Sequence, residues 1–164
     1  MASSDTLIVF TAAHGSPSST NPATFDQKGQ LLVLDFDTTT GETAYFDGIM
    51  PQHYAGTTGV TVYVHWAAEA TSGTVGWLVA FERIGDGQHD IDTEWGGAAN
   101  NTVTATTVPG TQGFVDITST TFTDGADMDS VAVGEAFRLR IVRDVATDTA
   151  AADANLVAVE IRET

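Results

Sequence analysis

The chain has 164 residues, 22 acidic and 6 basic side chains, no cysteine and a formal net charge of −16. This length fits one domain that can bury a full core without disulfides or metals. The charge argues against binding to nucleic acid or to an anionic membrane surface, since both need cationic side chains. No apolar run approaches the roughly 20 residues of a membrane helix, and the first five residues lack the basic region of a secretory signal.

Alternation of β-branched and aromatic residues predicts nine strands, and amphipathic helical patterns are hard to find. In chain order the strands cover residues 6–11, 31–36, 43–50, 60–66, 75–81, 102–108, 113–123, 136–143 and 156–162. Evenly spaced strands with glycine and proline between them indicate a sandwich or barrel, and the longer connections favour a jelly roll. We therefore expect an all-β, single-domain β-sandwich of jelly-roll type with eight or nine strands, formed by residues 25–164.

Residues 1–24 are predicted to form an extended N-terminal arm. Beyond the first short strand, this segment is rich in serine, proline and asparagine, which is typical of irregular or extended chain. About 25 extended residues span on the order of 80 Å, so such an arm could cross a neighbouring subunit.

The strands over residues 60–66 and 75–81 form the centre of the predicted fold. The short link between them contains Thr71, Ser72 and Gly73, which suit a hairpin turn. One face of the second strand carries Gly76, Leu78 and Ala80 and is too apolar to remain in water. Either another part of the chain or another subunit is expected to cover that face.

The sequence offers little that supports catalysis. No Gly-x-Ser-x-Gly nucleophile motif is present. The carboxylate pairs Asp35/Asp37 and Asp90/Asp92 are expected by chance in so acidic a chain, and glycosidase chemistry needs a set separation and one raised pKa. The prediction is a protein without enzymatic activity.

One turn concentrates three carboxylates, at Asp124, Asp127 and Asp129. Calcium prefers several oxygens from a flexible loop, so these residues are the candidate metal ligands. The alternative is a capped turn, in which the aspartates bind nearby backbone amides. We expect no obligatory cofactor, with Ca²⁺ as the possible exception.

Four of the six basic residues, Arg138, Arg140, Arg143 and Arg162, lie on the last two predicted strands. They could pair with the chain's own carboxylates, or they could form salt bridges between subunits. The candidate residues for a subunit interface are Leu7, Val9, Phe10, Leu78, Arg138 and Arg140.

Two aromatic residues beside glycines suggest a sugar-binding alternative. Trp95 precedes Gly96, and Tyr54 lies close to Gly56, so either ring could be a stacking platform on a loop. Packing in or around the core is the competing explanation, because tryptophan and tyrosine are often partly buried.

Several segments resemble the small jelly-roll structural proteins of tailed bacteriophages, including head decoration or cement proteins. The matching segments are residues 46–54, 60–68 with Trp66, 73–77 with Val75 and Trp77, Glu82-Arg83, 137–144 and 157–160. The resemblance spans roughly residues 25–164. It implies a virion protein, assembled in the host cytoplasm, that forms a homotrimer on the capsid surface and contacts the major capsid protein.

The first functional hypothesis is therefore a non-enzymatic capsid decoration protein that stabilises the phage head by bridging major capsid subunits. The alternative is a phage tail or baseplate component, or a lectin-like carbohydrate-binding β-sandwich module. A sandwich enzyme is a third possibility. Neither nucleic acid nor membrane is expected as a partner.

Overall fold

The structure is a computed structural model that describes residues 4–164, and it confirms an all-β sandwich of two antiparallel sheets. The described residues form eleven strands: β1 Thr6–Thr11, β2 Gly15–Pro17, β3 Thr24–Lys28, β4 Leu31–Phe36, β5 Thr43–Ile49, β6 Val60–Ala68, β7 Thr74–Ile84, β8 Asn101–Thr107, β9 Val115–Phe122, β10 Ala136–Arg143 and β11 Ala154–Glu163. Two short 3₁₀ helices cover Ala12–His14 and Ala126–Met128. Within residues 4–164, no helix has the length and apolar character needed to cross a membrane.

The two sheets have different strand orders. Sheet A runs β3-β4-β11-β6-β9, and β1 also pairs with β11. Sheet B runs β2-β5-β10-β7-β8. The outer face of each sheet is the face that points away from the other sheet.

Large aromatic side chains fill the space between the sheets. Trp66 on β6 and Trp77 on β7 are fully buried, with ring centroids 6.4 Å apart. Phe81 packs edge-on against Phe122 at 4.9 Å. The Trp66 indole nitrogen donates to the Thr118 hydroxyl at 3.2 Å, so its burial leaves this nitrogen satisfied. Burying each such ring contributes about 1.5–3 kcal/mol.

The central strand pair is not a hairpin. β6 pairs with β11 and β9 in sheet A, whereas β7 pairs with β10 and β8 in sheet B. The link between them therefore carries the chain from one sheet to the other. Gly73 in this link has a φ of +95°, and a Cβ there would lie 2.7 Å from the backbone of Ala150. Glycine is needed because the chain turns tightly against that backbone.

The predicted N-terminal arm is part of the sandwich. β1 pairs with β11 in sheet A and β2 pairs with β5 in sheet B, so the segment joins the two sheets. β2 lies where the sequence suggested irregular chain, because its three residues are glycine, serine and proline, which are typical of loops. β3 is a further short strand that the sequence did not predict. Residues 1–3 lie outside the described part of the chain.

The apolar outer face of β7 is covered by the same chain. Ala80 is buried, and Leu78 is partly buried. At Gly76, the loop after β10 approaches so closely that an added Cβ would lie 2.7 Å from Thr147 Oγ1. The Asp144 amide donates to the Gly76 carbonyl at 2.9 Å. A second subunit is not needed to explain this face.

Candidate functional site

The connection between β7 and β8, residues 85–100, lies against the outer face of sheet B. The Ala98 amide donates to the Phe81 carbonyl at 2.8 Å, and the Gly96 amide donates to Glu82 Oε1 at 2.5 Å. Gly97 lies so close to the backbone of Phe81 and Glu82 that a side chain would not fit there. The sequence predicted a surface loop in this region, but not its return onto the sheet.

A buried ion pair anchors this loop. Glu82 on β7 is 1% exposed, and Arg138 on β10 donates from Nε to Glu82 Oε2 at 2.7 Å. A second Arg138 nitrogen donates to the Glu94 carbonyl at 2.6 Å. The Nδ1 atom of His89 lies 3.9 Å from Glu82 Oε1. Because each charge is held by several hydrogen bonds, the guanidinium has a fixed direction.

Two aromatic rings and two arginines form a stacked group beside this ion pair. The rings of Tyr45 and Trp95 are stacked, with centroids 5.8 Å apart and an interplanar angle of 21°. Arg138 lies 4.8 Å from the Tyr45 centroid, and Arg140 lies 4.2 Å from the Trp95 centroid. These distances are typical of cation–π contacts. Burial lowers the pKa of Arg140, while its contact with Tyr45 acts in the opposite direction.

An open cavity of about 330 Å³ lies next to the stacked group. Its walls include Ser18, Tyr45, Asp47, Glu94 and Arg138. The Ser18 and Ser19 hydroxyls both donate to Glu94 Oε1, at 3.0 and 3.1 Å, which fixes that carboxylate. Asp47 is exposed. The cavity therefore offers an aromatic wall together with charged donors and acceptors, and we refer to it as the aromatic cavity.

The arginines flagged by the sequence mostly pair within the chain. Arg138 binds Glu82, Arg143 binds Asp148, and Arg162 binds Glu160. Arg140 instead contacts Trp95 and donates to Asn100 Oδ1 at 2.8 Å. Pairing with the chain's own carboxylates is thus confirmed for three of the four.

The six candidate interface residues do not form one surface. Leu7 and Phe10 are buried in the core, because β1 lies against β11. Leu78 is partly covered on sheet B, and Arg138 and Arg140 belong to the group around the aromatic cavity. Val9 alone among the six is mainly exposed, at 53%.

The candidate metal ligands are separated by their own hydrogen bonds. Asp124 accepts from the Tyr54 hydroxyl at 3.1 Å, Asp127 accepts from the Thr123 amide at 2.8 Å, and Asp129 accepts from the Arg83 amide at 2.8 Å. Within residues 4–164 no group of three or more acidic, histidine or cysteine side chains is arranged to hold a metal ion. The structure does not assemble the candidate calcium site.

The two candidate stacking rings, Tyr54 and Trp95, differ in burial. Tyr54 is 3% exposed, and burial raises the pKa of its hydroxyl to about 12, with the Asp124 charge adding to the effect. Its ring therefore packs in the core. Trp95 is partly exposed and lies on Tyr45 beside the aromatic cavity.

Sequence reasoning did not identify Tyr45, Asp47, Glu82 or Glu94 as site residues. The available signal was alternation: Tyr45 and Asp47 occupy the same face of one strand, and Arg138 and Arg140 share a face of another. The pairing of β5 with β10 places Tyr45 opposite Arg140 and Asp47 opposite Arg138. That register joins parts of the chain that are far apart in sequence.

Comparisons with known proteins give matches in structure alone. No protein-family model matches the sequence, and the search of curated proteins finds no match. The chain is similar to a CBM35 module from Cellvibrio japonicus Abf62, with a TM-score of 0.58, 11% identity, and coverage of 94% of this chain and 91% of that one. It is also similar to a xylan-binding module, CBM15, with a TM-score of 0.53, 12% identity and coverage of 96% and 97%.

A third similar structure is the C-terminal CBM6 of LamC from Zobellia galactanivorans, with a TM-score of 0.51, 13% identity and coverage of 97% and 100%. The chain shares its fold with these modules. At such low identity, the likeness establishes the fold and leaves the ligand open.

These matches overturn the interpretation based on phage proteins. The similar structures are carbohydrate-binding modules and not phage structural proteins. The capsid decoration function, the homotrimer, the major capsid protein as partner and the virion location are therefore wrong. The resemblance rested mostly on buried positions such as Phe46, Trp66, Trp77 and Phe137, which report sandwich packing and carry no information about a role.

Proposed function

We propose that the chain is a non-catalytic carbohydrate-binding module that binds a glycan at the aromatic cavity. The observation that carries the proposal is the stacked pair of Tyr45 and Trp95 beside a cavity of about 330 Å³. Arg138, Asp47 and Glu94 supply charged groups at the same place. The proposal takes up the lectin-like alternative drawn from the sequence.

The chemistry of this cavity suits a sugar. A pyranose presents C–H groups on its ring faces, which an aromatic ring can cover, and hydroxyls around its edge. Ligand sites combine apolar walls with a few fixed polar groups, and these orient the ligand. Arg138 is held by Glu82 and by the Glu94 carbonyl, while Ser18 and Ser19 hold the Glu94 carboxylate. A ligand therefore meets groups that are already in place, which reduces the entropy lost on binding.

The similar structures support the class of function. They include a module described as xylan-binding and other carbohydrate-binding modules. A binding role is also in keeping with the sequence, which offers neither a nucleophile motif nor a carboxylate pair that stands out from the acidic background. Which sugar is bound has to be found by measurement.

The first experiment is a glycan array followed by calorimetry on the best neutral oligosaccharide. Trp95→Ala should weaken binding at least about tenfold, or about 1.4 kcal/mol, because Trp95 stacks on Tyr45 and holds this aromatic wall of the cavity in place. Asp47→Asn should weaken binding without loss of stability, since Asp47 is exposed. Thermal unfolding of each variant separates a lost contact from a disturbed fold.

The matched control is Phe114→Ala, which removes an aromatic ring that is 62% exposed and lies just before β9 in sheet A. It should leave affinity within about twofold, a change of about 0.4 kcal/mol. A wild-type protein that binds nothing on the array would refute the proposed function. If Phe114→Ala loses glycan binding while Trp95→Ala and Asp47→Asn keep it, the glycan site lies on sheet A.

A further inference from the structure

A second cavity lies on the outer face of sheet A, on the opposite side of the sandwich from the aromatic cavity. It has a volume of about 180 Å³. Its apolar walls come from Leu31, Val33, Ala67, Val115 and Val157, and its polar walls include Lys28, Glu69 and Asn155. The proposed glycan site uses none of these residues.

The size of this cavity limits its occupant. An engineered cavity of about 150 Å³ holds benzene, so about 180 Å³ fits one six-membered ring with a small substituent. Val33 and Ala67 are buried, whereas Leu31 and Val115 are about half exposed, so an apolar floor is reached from an open side. Burying a ring here removes apolar surface of both partners from water.

Asn155 forms part of the polar wall to which a substituent would point, and Asp35 lies behind it as its hydrogen-bond partner. Asn155 is 3% exposed and donates from Nδ2 to Asp35 Oδ1 at 2.6 Å. Asp35 follows Leu31 and Val33 on the same face of β4 and lies opposite Asn155 in the β4–β11 register. This bond occupies one amide hydrogen of Asn155 and one oxygen of Asp35. The Asn155 side-chain carbonyl and the second Asp35 oxygen are acceptors without a hydrogen bond among the described residues 4–164.

The charges around the cavity favour a cation. Asp35 interacts electrostatically with three other carboxylates, those of Asp26, Glu69 and Asp153, and with one basic residue, Lys28. Lys28 binds Asp26 at 2.7 Å and also binds Glu69, so its charge is already shared by two carboxylates. Burial raises the pKa of Asp35 to about 6, and the charges of Asp153 and Glu69 contribute to this rise. A ligand that brings a positive charge relieves this repulsion, whereas an anion increases it.

We propose that the sheet A cavity binds a six-membered ring that carries a primary ammonium group. The ring lies on Val33, Ala67 and Val157, and the ammonium donates to the side-chain carbonyl of Asn155, while the Asp35 carboxylate behind Asn155 supplies the negative charge. Two sources share this chemistry: a cyclic aliphatic amine and an amino sugar. In the second case the module would have a saccharide contact on each of its two faces.

The test is an NMR titration of the full 164-residue protein with cyclohexylamine, cyclohexanol and cyclohexanecarboxylate at about pH 7.5. The three probes share a ring and differ in charge. Cyclohexylamine should shift the amide signals of Val33, Ala67, Val115 and Val157, with affinity at least about fivefold above that of the alcohol. The carboxylate should not bind. Equal binding of amine and alcohol, or no binding of the amine, would overturn the proposal.

Two variants locate the site, and one controls for charge. Asp35→Asn keeps the shape of the side chain and removes its charge, so it should lower the affinity for cyclohexylamine at least about fivefold. Val157→Phe fills the cavity and should abolish binding. Asp86→Asn removes the same charge from the loop after β7, next to the other sheet, and should leave affinity within about twofold. If Val157→Phe fails to fold, Asp35→Asn and Asp86→Asn still test the proposed site. Equal affinity of these two variants for cyclohexylamine would contradict the proposal.

Glucose and glucosamine distinguish the two sources of the ring. If glucosamine shifts the same signals and glucose does not, the ligand class is an amino sugar. If cyclohexylamine alone binds, the ligand is an aliphatic amine. Trp95→Ala should leave all these titrations unchanged, so failure of the glycan proposal and failure of this one can be told apart.

Discussion

At the scale of single residues, the sequence singled out several candidate side chains but not the residues that they contact. From the sequence, Trp95 is a candidate stacking ring and Arg138 and Arg140 are candidate interface residues, and nothing in their spacing links them. The fold brings them together because Arg138 and Arg140 alternate onto one face of β10, and the loop after β7 returns across that face. Residue type predicted the chemistry of each group, whereas the partners depend on pairing between distant strands.

The first prediction concerns Asp35. A folded-state pKa raised to about 6 means that ionising Asp35 is harder in the fold than in the unfolded chain. Its contribution to the free energy of unfolding is therefore favourable below the ordinary carboxyl pKa and is lost as the pH rises through about 6. Asp35→Asn should be more stable than wild type at about pH 7.5 and equal to it near pH 3.5. Urea unfolding at the two pH values measures this.

If Asp35→Asn is less stable than wild type at about pH 7.5, then the fold stabilises Asp35 as a carboxylate. Asp86→Asn serves as the control, because it changes the net charge equally without entering this cluster. A stabilised Asp35→Asn that also loses amine binding would show that the charge is kept for binding at a cost in stability.

At the scale of elements, strand positions were predictable and strand pairing was not. β1, β4 and β10 have the bounds that alternation predicted, since one buried face repeats every second residue. The prediction of a hairpin between β6 and β7 is wrong because alternation shows which residues of a strand face the core, and it does not say in which sheet the strand lies. β6 instead pairs with β11, nearly a hundred residues away.

The Arg143 side chain joins elements of both sheets. It is 1% exposed, binds Asp148 at 2.5 Å, and donates to the carbonyls of Phe36 on β4 and Ala152 at 2.8 and 2.9 Å. Arg143→Met should lower the free energy of unfolding by about 3–5 kcal/mol, because Asp148 would be left buried without its cation. Arg162→Met is the control and should cost about 0–1 kcal/mol, since that ion pair is partly exposed. Denaturant unfolding gives both values, and equal costs would contradict the assignment.

β1 provides a second test at this scale. If it belongs to the sandwich, Phe10→Ala should cost about 3–5 kcal/mol, because Phe10 packs against Phe46 and Phe137 in the core. Val9→Ala changes the neighbouring residue, which is exposed, and should cost no more than about 0.5 kcal/mol. Thermal or urea unfolding distinguishes these outcomes. If Phe10→Ala leaves the free energy of unfolding unchanged, β1 does not pack in the core and the prediction of a detached arm stands.

At the scale of the whole molecule, the fold class was predictable but the role was not. Many short alternating strands without helices leave few architectures, so composition led to a sandwich. Function depends on groups attached to the sandwich, and the same fold hosts many roles. The segments that suggested phage proteins are mostly buried, so they could not separate a capsid protein from a sugar-binding module.

The net charge of −16 sets a prediction for ligand choice. A polyanionic glycan approaching the aromatic cavity is repelled by the whole molecule, and the charge of Arg138 is already balanced by Glu82. A neutral oligosaccharide carries no charge that either effect could act on. Its affinity should therefore change less than about twofold between about 20 and 500 mM NaCl, although the screening of exposed charges increases severalfold over this range. Calorimetry at the two salt concentrations, with a neutral and a uronate-rich oligosaccharide of equal length, tests this. If the uronate-rich ligand binds more tightly and weakens steeply with salt, then the arginines, and not the aromatic rings, determine what this cavity binds.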